Sequence, residues 1–286
     1  MLNLVTYLNE KRQIIDHALD AAMPAPDERP TLLHQAMRYS VFSGGKRLRP
    51  ILCMAASNAI NGTDDNAITP AIAVELIHSY TLIHDDLPSM DNDDTRRGKP
   101  TVHRKYGEAN AVLAGDALQA LAFEILADST MPDSTKISLI RELAGAAGSR
   151  GVVGGQVEDI AAINVPPDAD TIRWIHLHKT ADLFRTAVRM GAIAGNATAA
   201  QVANLGQYAE SIGLAFQITD DILDANSGGK RSAIDTPSNC MHVLSAQDAR
   251  KQADEQIVKA MAALKLIDGN TIPLEAIAQF VLERTC

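Results

Sequence analysis

Aromatic side chains are scarce in this 286-residue chain, at 4% with a single tryptophan, while alanine and leucine dominate. That balance disfavours a β-rich sandwich and favours helices filled with small and branched aliphatics. Cysteine is scarce too. Cys53, Cys240 and Cys286 are odd in number, widely spaced and in no CxxC pair, which excludes a disulfide framework and a zinc site of the usual spacing. Basic charge is short, with 26 Lys and Arg against 35 Asp and Glu and a net charge of −9. A nucleic-acid partner is not expected, because a phosphate backbone needs a basic face; a local basic pocket remains open. No apolar run approaches the roughly 20 residues of a membrane helix. The start, "MLNLVTYLNEKRQ", carries Glu10 and Lys11 after a short apolar stretch and lacks the basic opening and cleavage site of a signal peptide. A soluble, cytoplasmic protein without an integral membrane segment is expected.

What is present is core-forming. With 46% hydrophobic and 21% charged residues, the chain can bury one large core, and a single domain over 1–286 is expected. Apolar residues recur at three and four positions between short turn signals. "TLLHQAMRYSVF" leads to a break at "SGGKRLRP", and "PAIAVELIHSYTLIHDDL" opens on a proline suited to a first turn and stops before Pro88. Further helices are expected over "EANAVLAGDALQALAFEILAD", "DSTKISLIRELAGAAG", "ADTIRWIHLHKTADLFRTAVRMGAIAG" and "AAQVANLGQYAESIGLAFQITDDILDA", with two more near the C-terminus. The fold class is all-α. Only "NSGGKRSAIDTPSN", 226–239, has the composition of a long mobile loop.

Charge is concentrated in two places. "DDLPSMDNDDTRR", Asp85 to Arg97, holds five carboxylates and two guanidinium groups, and "FQITDDILD" sets Asp220, Asp221 and Asp224 on a helix with Gln217 one turn earlier. Both follow long apolar helices, where the macrodipole already makes negative charge unfavourable. The pairing points to a shared cation. Two unit charges about 4 Å apart repel by roughly 4 kcal/mol at an effective dielectric near 20, so carboxylates hold a polyphosphate only through divalent ions. Magnesium, which combines a few carboxylates with phosphate oxygens and water, suits the task. Remaining phosphate charge would be met at separated points, by Lys46 and Arg49 of "GGKRLR", Arg96 and Arg97 of "RRG", Lys179 beside Thr180 in "HKT", and Lys230 of "GGKR". His78 lies seven residues before Asp85, nearly on its face.

Two rival motifs fail locally. A calcium loop starting at Asp91 would need glycine and glutamate where Arg96 and Val102 stand. "DNDDT" fits the DxDxT pattern of haloacid-dehalogenase-like phosphohydrolases, but no βαβ rhythm surrounds it. The chain instead resembles the trans-isoprenyl diphosphate synthases, and among them the bacterial short-chain, farnesyl-forming type. The resemblance runs in order through "GGKRLRP", "ELIHSYTLIHDDLPSMDNDDTRRGKPTVH", "GEANAVLAGDAL", "GGQVED", "HKT", "ESIGLAFQITDDILD" and "GKR", covering most of residues 40 to 235.

The resemblance implies an all-α bundle of the isoprenoid-synthase type around a deep central cavity, a homodimer, and about three Mg2+ per active site. It implies isopentenyl diphosphate and allylic diphosphates, dimethylallyl and geranyl, as substrates. Asp85, Asp91 and Asp220 would be metal ligands, with Asp86, Asp221 and Asp224 in support. Arg96, Lys179 and Lys230 would hold the allylic diphosphate, and Thr180 and Gln217 would lie near the nascent cation. Lys46, Arg49, His78 and Arg97 would form the metal-free isopentenyl diphosphate site. Tyr80, about 7.5 Å along the helix from Asp85, would block the growing tail at C15. Geranylgeranyl or geranyl diphosphate is the alternative product, and a non-catalytic partner subunit the alternative of another class; such subunits commonly lose aspartates that this chain keeps. A terpene cyclase would carry a different second metal motif. The chain departs from the family after "GKRSAID", where "TPSNCMHVLS" replaces a lysine-bearing "GKxTYP"-like segment and Pro237 takes the lysine's place. The tail "LERTC" keeps one base, Arg284, where relatives often end more basic, and the loss implies weaker diphosphate binding, compensation by Arg231, or a drift towards low activity.

Overall fold

The structure is a computed structural model that describes residues 2–226 and 237–284. Helices account for 75% of it: α1 (Leu4–Ala22), α2 (Thr31–Val41), α3 (Leu48–Asn61), α4 (Ile68–Asp85), α5 (Val102–Tyr106), α6 (Glu108–Ala127), α7 (Asp133–Ala147), α8 (Val152–Ala162), α9 (Ala169–Ile175), α10 (Asp182–Ala194), α11 (Ala199–Asn226), α12 (Ala246–Leu264) and α13 (Ile272–Glu283). The all-α expectation is correct. Among the described residues the strands are β1 (Thr95–Arg96) and β2 (Lys99–Pro100), which pair as a hairpin. Its two central residues, Arg97 and Gly98, have φ of 53° and 74°, the left-handed pair that a two-residue turn between right-twisted strands demands.

Local chemistry explains the helix limits. Pro70 stands in the first turn of α4, where its missing N–H is not needed, and α4 ends at Asp85, ahead of the Leu87-Pro88 step that disfavours helix. Asp168 caps α9 by accepting from Thr171 N at 2.8 Å, and Ser245 caps α12 by accepting from Asp248 N at 3.1 Å. The break expected at "SGGKRLRP" is shorter than the sequence suggests, because α3 already begins at Leu48. The long helix expected from Ala169 continues without interruption into α10, but over His176–Ala181 it widens to a π-helical turn.

The described residues gather into two compact units. The first comprises Val5–Ile51 and Ile68–Ile140. Here α4 is buried over most of its length and lies against α6, with α2 and α5 covering α6 as well. Arg47, 4% exposed with φ of 50°, ties the loop after α2 down: it donates to Glu75 at 2.7 Å, Asp16 at 2.8 Å and the Val41 carbonyl at 2.6 Å. A buried cation without those partners would be costly. α6 is long and apolar enough by composition to cross a membrane, a test that a core or interface helix also passes.

The second unit comprises Leu52–Ala67 and the chain from Arg141 on, with the first residues. α11 is its centre, flanked by α10, α12, α13 and the π turn. Glycine permits the closest approaches. A Cβ on Gly191 of α10 would lie 1.9 Å from the Cys53 carbonyl oxygen of α3, and one on Gly213 of α11 would lie 2.6 Å from Ala181 Cα.

Candidate active site

In the first unit the acidic stretch folds back on the end of α4. Asp91 N donates to the Asp85 carbonyl at 2.9 Å and Asp93 N to the Asp86 carbonyl at 3.2 Å, a reversal that Asn92 makes possible at φ of 52°. Asp85 and Asp91 are thereby brought together, both half-buried. Asp86 is buried at 3% and turned instead to Arg96, whose Nε lies 2.8 Å from its Oδ1. Burial pushes the Asp86 carboxyl upward and the Arg96 hydrogen bond opposes it. Burial acts to lower Arg96, but Asp86 prevails and leaves its guanidinium above its ordinary range.

Beside this stretch lies a cationic group. Arg49 Nη1 is 3.4 Å from His78 Nε2, and since a guanidinium only donates, the imidazole nitrogen accepts. Burial, then the charges of Arg49, Arg97, Arg96 and Arg47, hold His78 well below its usual pKa. Arg97 donates to the Gly44 carbonyl. Gly45, at φ of 141°, leaves it room, since a Cβ there would meet Arg97 Nη1 at 2.9 Å. Lys46 is exposed on the same loop. Arg49, His78 and Arg97 thus gather where an anion would be welcome. Tyr39, Ser43, Arg96 and Arg97 also line a small cavity of about 30 Å³.

Tyr80 is 4% exposed on α4. Its ring stands edge-on to His84 at 5.7 Å and its hydroxyl bonds to Gln119 of α6; burial first, then the charge of Asp85, push the phenol up to about 12. His84 donates to the Val112 carbonyl at 3.1 Å over Gly115, where a Cβ would come within 2.1 Å of the imidazole Nε2. The phenol is fixed from both helices.

In the second unit the π turn carries Lys179 and Thr180. Such turns often mark functional positions. Lys179 Nζ pairs with Asp159 of α8. Thr180 Oγ1 donates to Gln217 Oε1 at 2.8 Å, and Gln217 Nε2 donates to Asp221 Oδ1 at 2.9 Å. The Gln217 amide thus reaches four residues on, not to Asp220 but to Asp221. That carboxylate is 3% exposed. Its Oδ2 also accepts from Cys240 N at 2.7 Å and lies 3.3 Å from His176 Nε2. Asp220 is more open, its side chain 44% exposed, and pairs with Arg284 at 2.9 Å. The Arg284 guanidinium stacks 3.7 Å over the Phe216 ring and donates to the Phe216 carbonyl at 2.6 Å. Partial burial and the charges of Asp220 and Asp221 raise Asp224, against Arg284.

Lys230 and Arg231 lie outside the described residues, as does most of 226–239. Pro237 is described, followed by buried Ser238 and Asn239; Ser238 Oγ donates to Asp159 and Asn239 Nδ2 to the Asp221 carbonyl at 3.3 Å. The sequence reading assigned no role to Arg47, Asp159, His176 or Ser238. "GGQVED" contained Asp159, but nothing in spacing says that a carboxylate will pair with a lysine 20 residues later.

Among the described residues, no three His, Cys, Asp or Glu side chains are gathered closely enough to hold an ion by themselves. Asp85 and Asp91 in the first unit and Asp220 in the second each nevertheless offer carboxylate oxygen, the donor suited to a hard divalent cation that takes few protein ligands and completes its shell with phosphate and water.

Residues 30–269 match the family model described as Polyprenyl synthetase. Farnesyl diphosphate synthase of Escherichia coli is 47% identical over 87% of this chain and 88% of that protein. The chloroplastic geranylgeranyl pyrophosphate synthase of Capsicum annuum is 42% identical over 99% of this chain and 79% of that protein. The apo crystal structure of a FPP/GFPP synthase from Zymomonas mobilis superposes with a TM-score of 0.88 at 42% identity, covering 98% of this chain and 99% of that one. Matched over residues 30–269 by that family model, and over most of its length by these relatives, the chain belongs to the polyprenyl synthetase family of prenyl-chain-elongating transferases, whose members use isoprenyl diphosphates and a divalent metal.

Proposed function

We propose that the protein condenses isopentenyl diphosphate with dimethylallyl and then geranyl diphosphate to give farnesyl diphosphate. The observation that carries the product assignment is Tyr80, buried five residues before Asp85 and held by both Gln119 and His84. A phenol fixed on two helices cannot swing aside for a longer tail. A C20 product is the second reading, favoured by the 42% identity to the Capsicum annuum enzyme over 99% of this chain.

In the proposed reaction the bond from C1 of the allylic substrate to its diphosphate oxygen breaks, and the diphosphate leaves with the electron pair. The isopentenyl double bond attacks C1 through C4, and a proton lost from C2, taken by the released diphosphate, restores a double bond. Asp85, Asp91 and Asp220 would hold Mg2+, about three ions per site, which supplies charge neutralisation to the departing diphosphate. Arg96, Lys179 and Lys230 would bind that diphosphate directly. Asp86 and Asp159 orient Arg96 and Lys179 in advance. Lys46, Arg49, His78 and Arg97 would hold isopentenyl diphosphate without metal, where neutral His78 accepts from Arg49 and adds no proton of its own. Thr180 and Gln217 would face the allylic cation. The exposed apolar residues Val112 and Leu113 of α6, 40% and 54% accessible, support a homodimer.

The test is direct. Purified protein with magnesium, isopentenyl diphosphate and each allylic starter should give C15 alcohols after dephosphorylation. C20 as the main product would favour the second reading; no condensation with any starter would overturn both.

A further inference from the structure

Gln156 of α8 is 7% exposed, and neither its Nε2 nor its Oε1 has a hydrogen-bond partner among the described residues. A side-chain amide has two donors and two acceptor lone pairs, and burying them all unpaired opposes folding. Methionine or leucine would fill the same space without that cost. The neighbours of Gln156 indicate what the amide is for. Gly155 lies against the π turn so closely that a Cβ would come within 2.4 Å of Lys179 N and 2.9 Å of His178 C. Asp159, three residues on and therefore on an adjoining face of the helix, holds Lys179 Nζ and Ser238 Oγ. α8 thus carries an amide and a carboxylate side by side on the helix that abuts the turn bearing Lys179.

We infer that Gln156 is a substrate-contacting residue whose amide N–H donates to the diphosphate of the allylic substrate beside Lys179. The identity of that ligand rests on the proposed function. The residue type suits the role. Asp159 already places one negative charge at Lys179, so a second carboxylate would repel the anion, and another cation would be drawn to Asp159 instead. An amide offers two donors and no charge. Negative charge on the diphosphate grows as its bond to C1 breaks, so the donation strengthens towards the transition state and acts on kcat.

The experiment compares full-length wild type with Gln156→Met and Gln156→Leu, two apolar replacements of different shape. Each is melted alone and with magnesium plus inorganic diphosphate, and each is assayed at steady state. In both variants the ligand-free Tm should stay level or rise, because an unpaired buried amide has gone. The Tm increase given by magnesium and diphosphate should at least halve, and kcat should fall at least tenfold with the KM for isopentenyl diphosphate unchanged. If both variants keep the wild-type kcat and the wild-type response to diphosphate, the inference is overturned and Gln156 is a core residue. If wild type makes no prenyl product, yet its response to diphosphate is lost in both variants, the contact stands and the proposed reaction falls.

Discussion

Asp220 and Asp221 are adjacent in sequence and opposite in situation. Asp221 is sealed among Gln217, Cys240 N and His176, whereas Asp220 is half open with Arg284 beside it. Asp221→Ala should cost stability, about 1–3 kcal/mol for the partners left unpaired, measured by urea unfolding. Asp220→Ala should also cost some stability, because it strips the buried Arg284 guanidinium of its carboxylate, and should in addition remove most turnover at low magnesium. His78 carries a pH prediction. Its pKa is depressed in the folded protein, so above about pH 6.5 the ring is neutral in folded and unfolded chains alike and adds no pH dependence. As pH falls below that value the unfolded chain takes up a proton that the folded one refuses, and stability declines. His78→Gln should flatten this part of the stability profile, read from Tm between pH 7 and 5. Tyr80→Ala should move the product from C15 towards C20 or longer; a folded variant with an unchanged profile would leave the ring a core residue. Motif order made the acidic and basic residues legible, because their types follow from the chemistry of diphosphate. Which aspartate is open and which is buried was not, since i and i+1 on a helix differ by about 100° and only the neighbours decide which faces water.

Where a helix was expected, its limits could be read closely from apolar spacing and proline position, as α4 and α11 show, because each must bury a stripe of defined period; α1, α3 and α8 were not among the expected helices. The π turn at His176–Ala181 could not be read at all. No residue type encodes it, and it exists through what packs around it, including Gly155 and Gly213 at the main chain of Lys179 and Ala181. Glycines make this testable. Gly191→Ala would put a methyl 1.9 Å from the Cys53 carbonyl oxygen, main chain that cannot give way as a flexible side chain can, and should destabilise by about 1–3 kcal/mol or more. Gly145, exposed on α7 with nothing within 4 Å of a Cβ, should do the reverse: Gly145→Ala should stabilise by about 0.5–1 kcal/mol. Guanidinium unfolding of the pair, opposite in sign for the same substitution, checks whether close packing rather than propensity governs each site.

At the scale of the molecule, the apolar residues left open on α6 have their reason in assembly if the homodimer proposal holds. Leu113→Glu should then shift the protein to a monomer in sedimentation while leaving the helical signal intact; an unchanged sedimentation coefficient would remove α6 from the interface. Burial also gives the protein two built-in chemical clocks. Cys53 is 0% and Cys240 3% exposed, and burial pushes both thiols well above their ordinary range, so neither reacts with an alkylating reagent until its surroundings open. The amide of Cys240 is bonded to Asp221, while Cys53 lies under Gly191 in the core. Pulsed alkylation with mass-spectrometric readout therefore times two separate events in the unmodified chain, release of the second acidic motif at Cys240 and core opening at Cys53. A ligand that stiffens only the acidic motif should slow the first clock and leave the second running at its own rate.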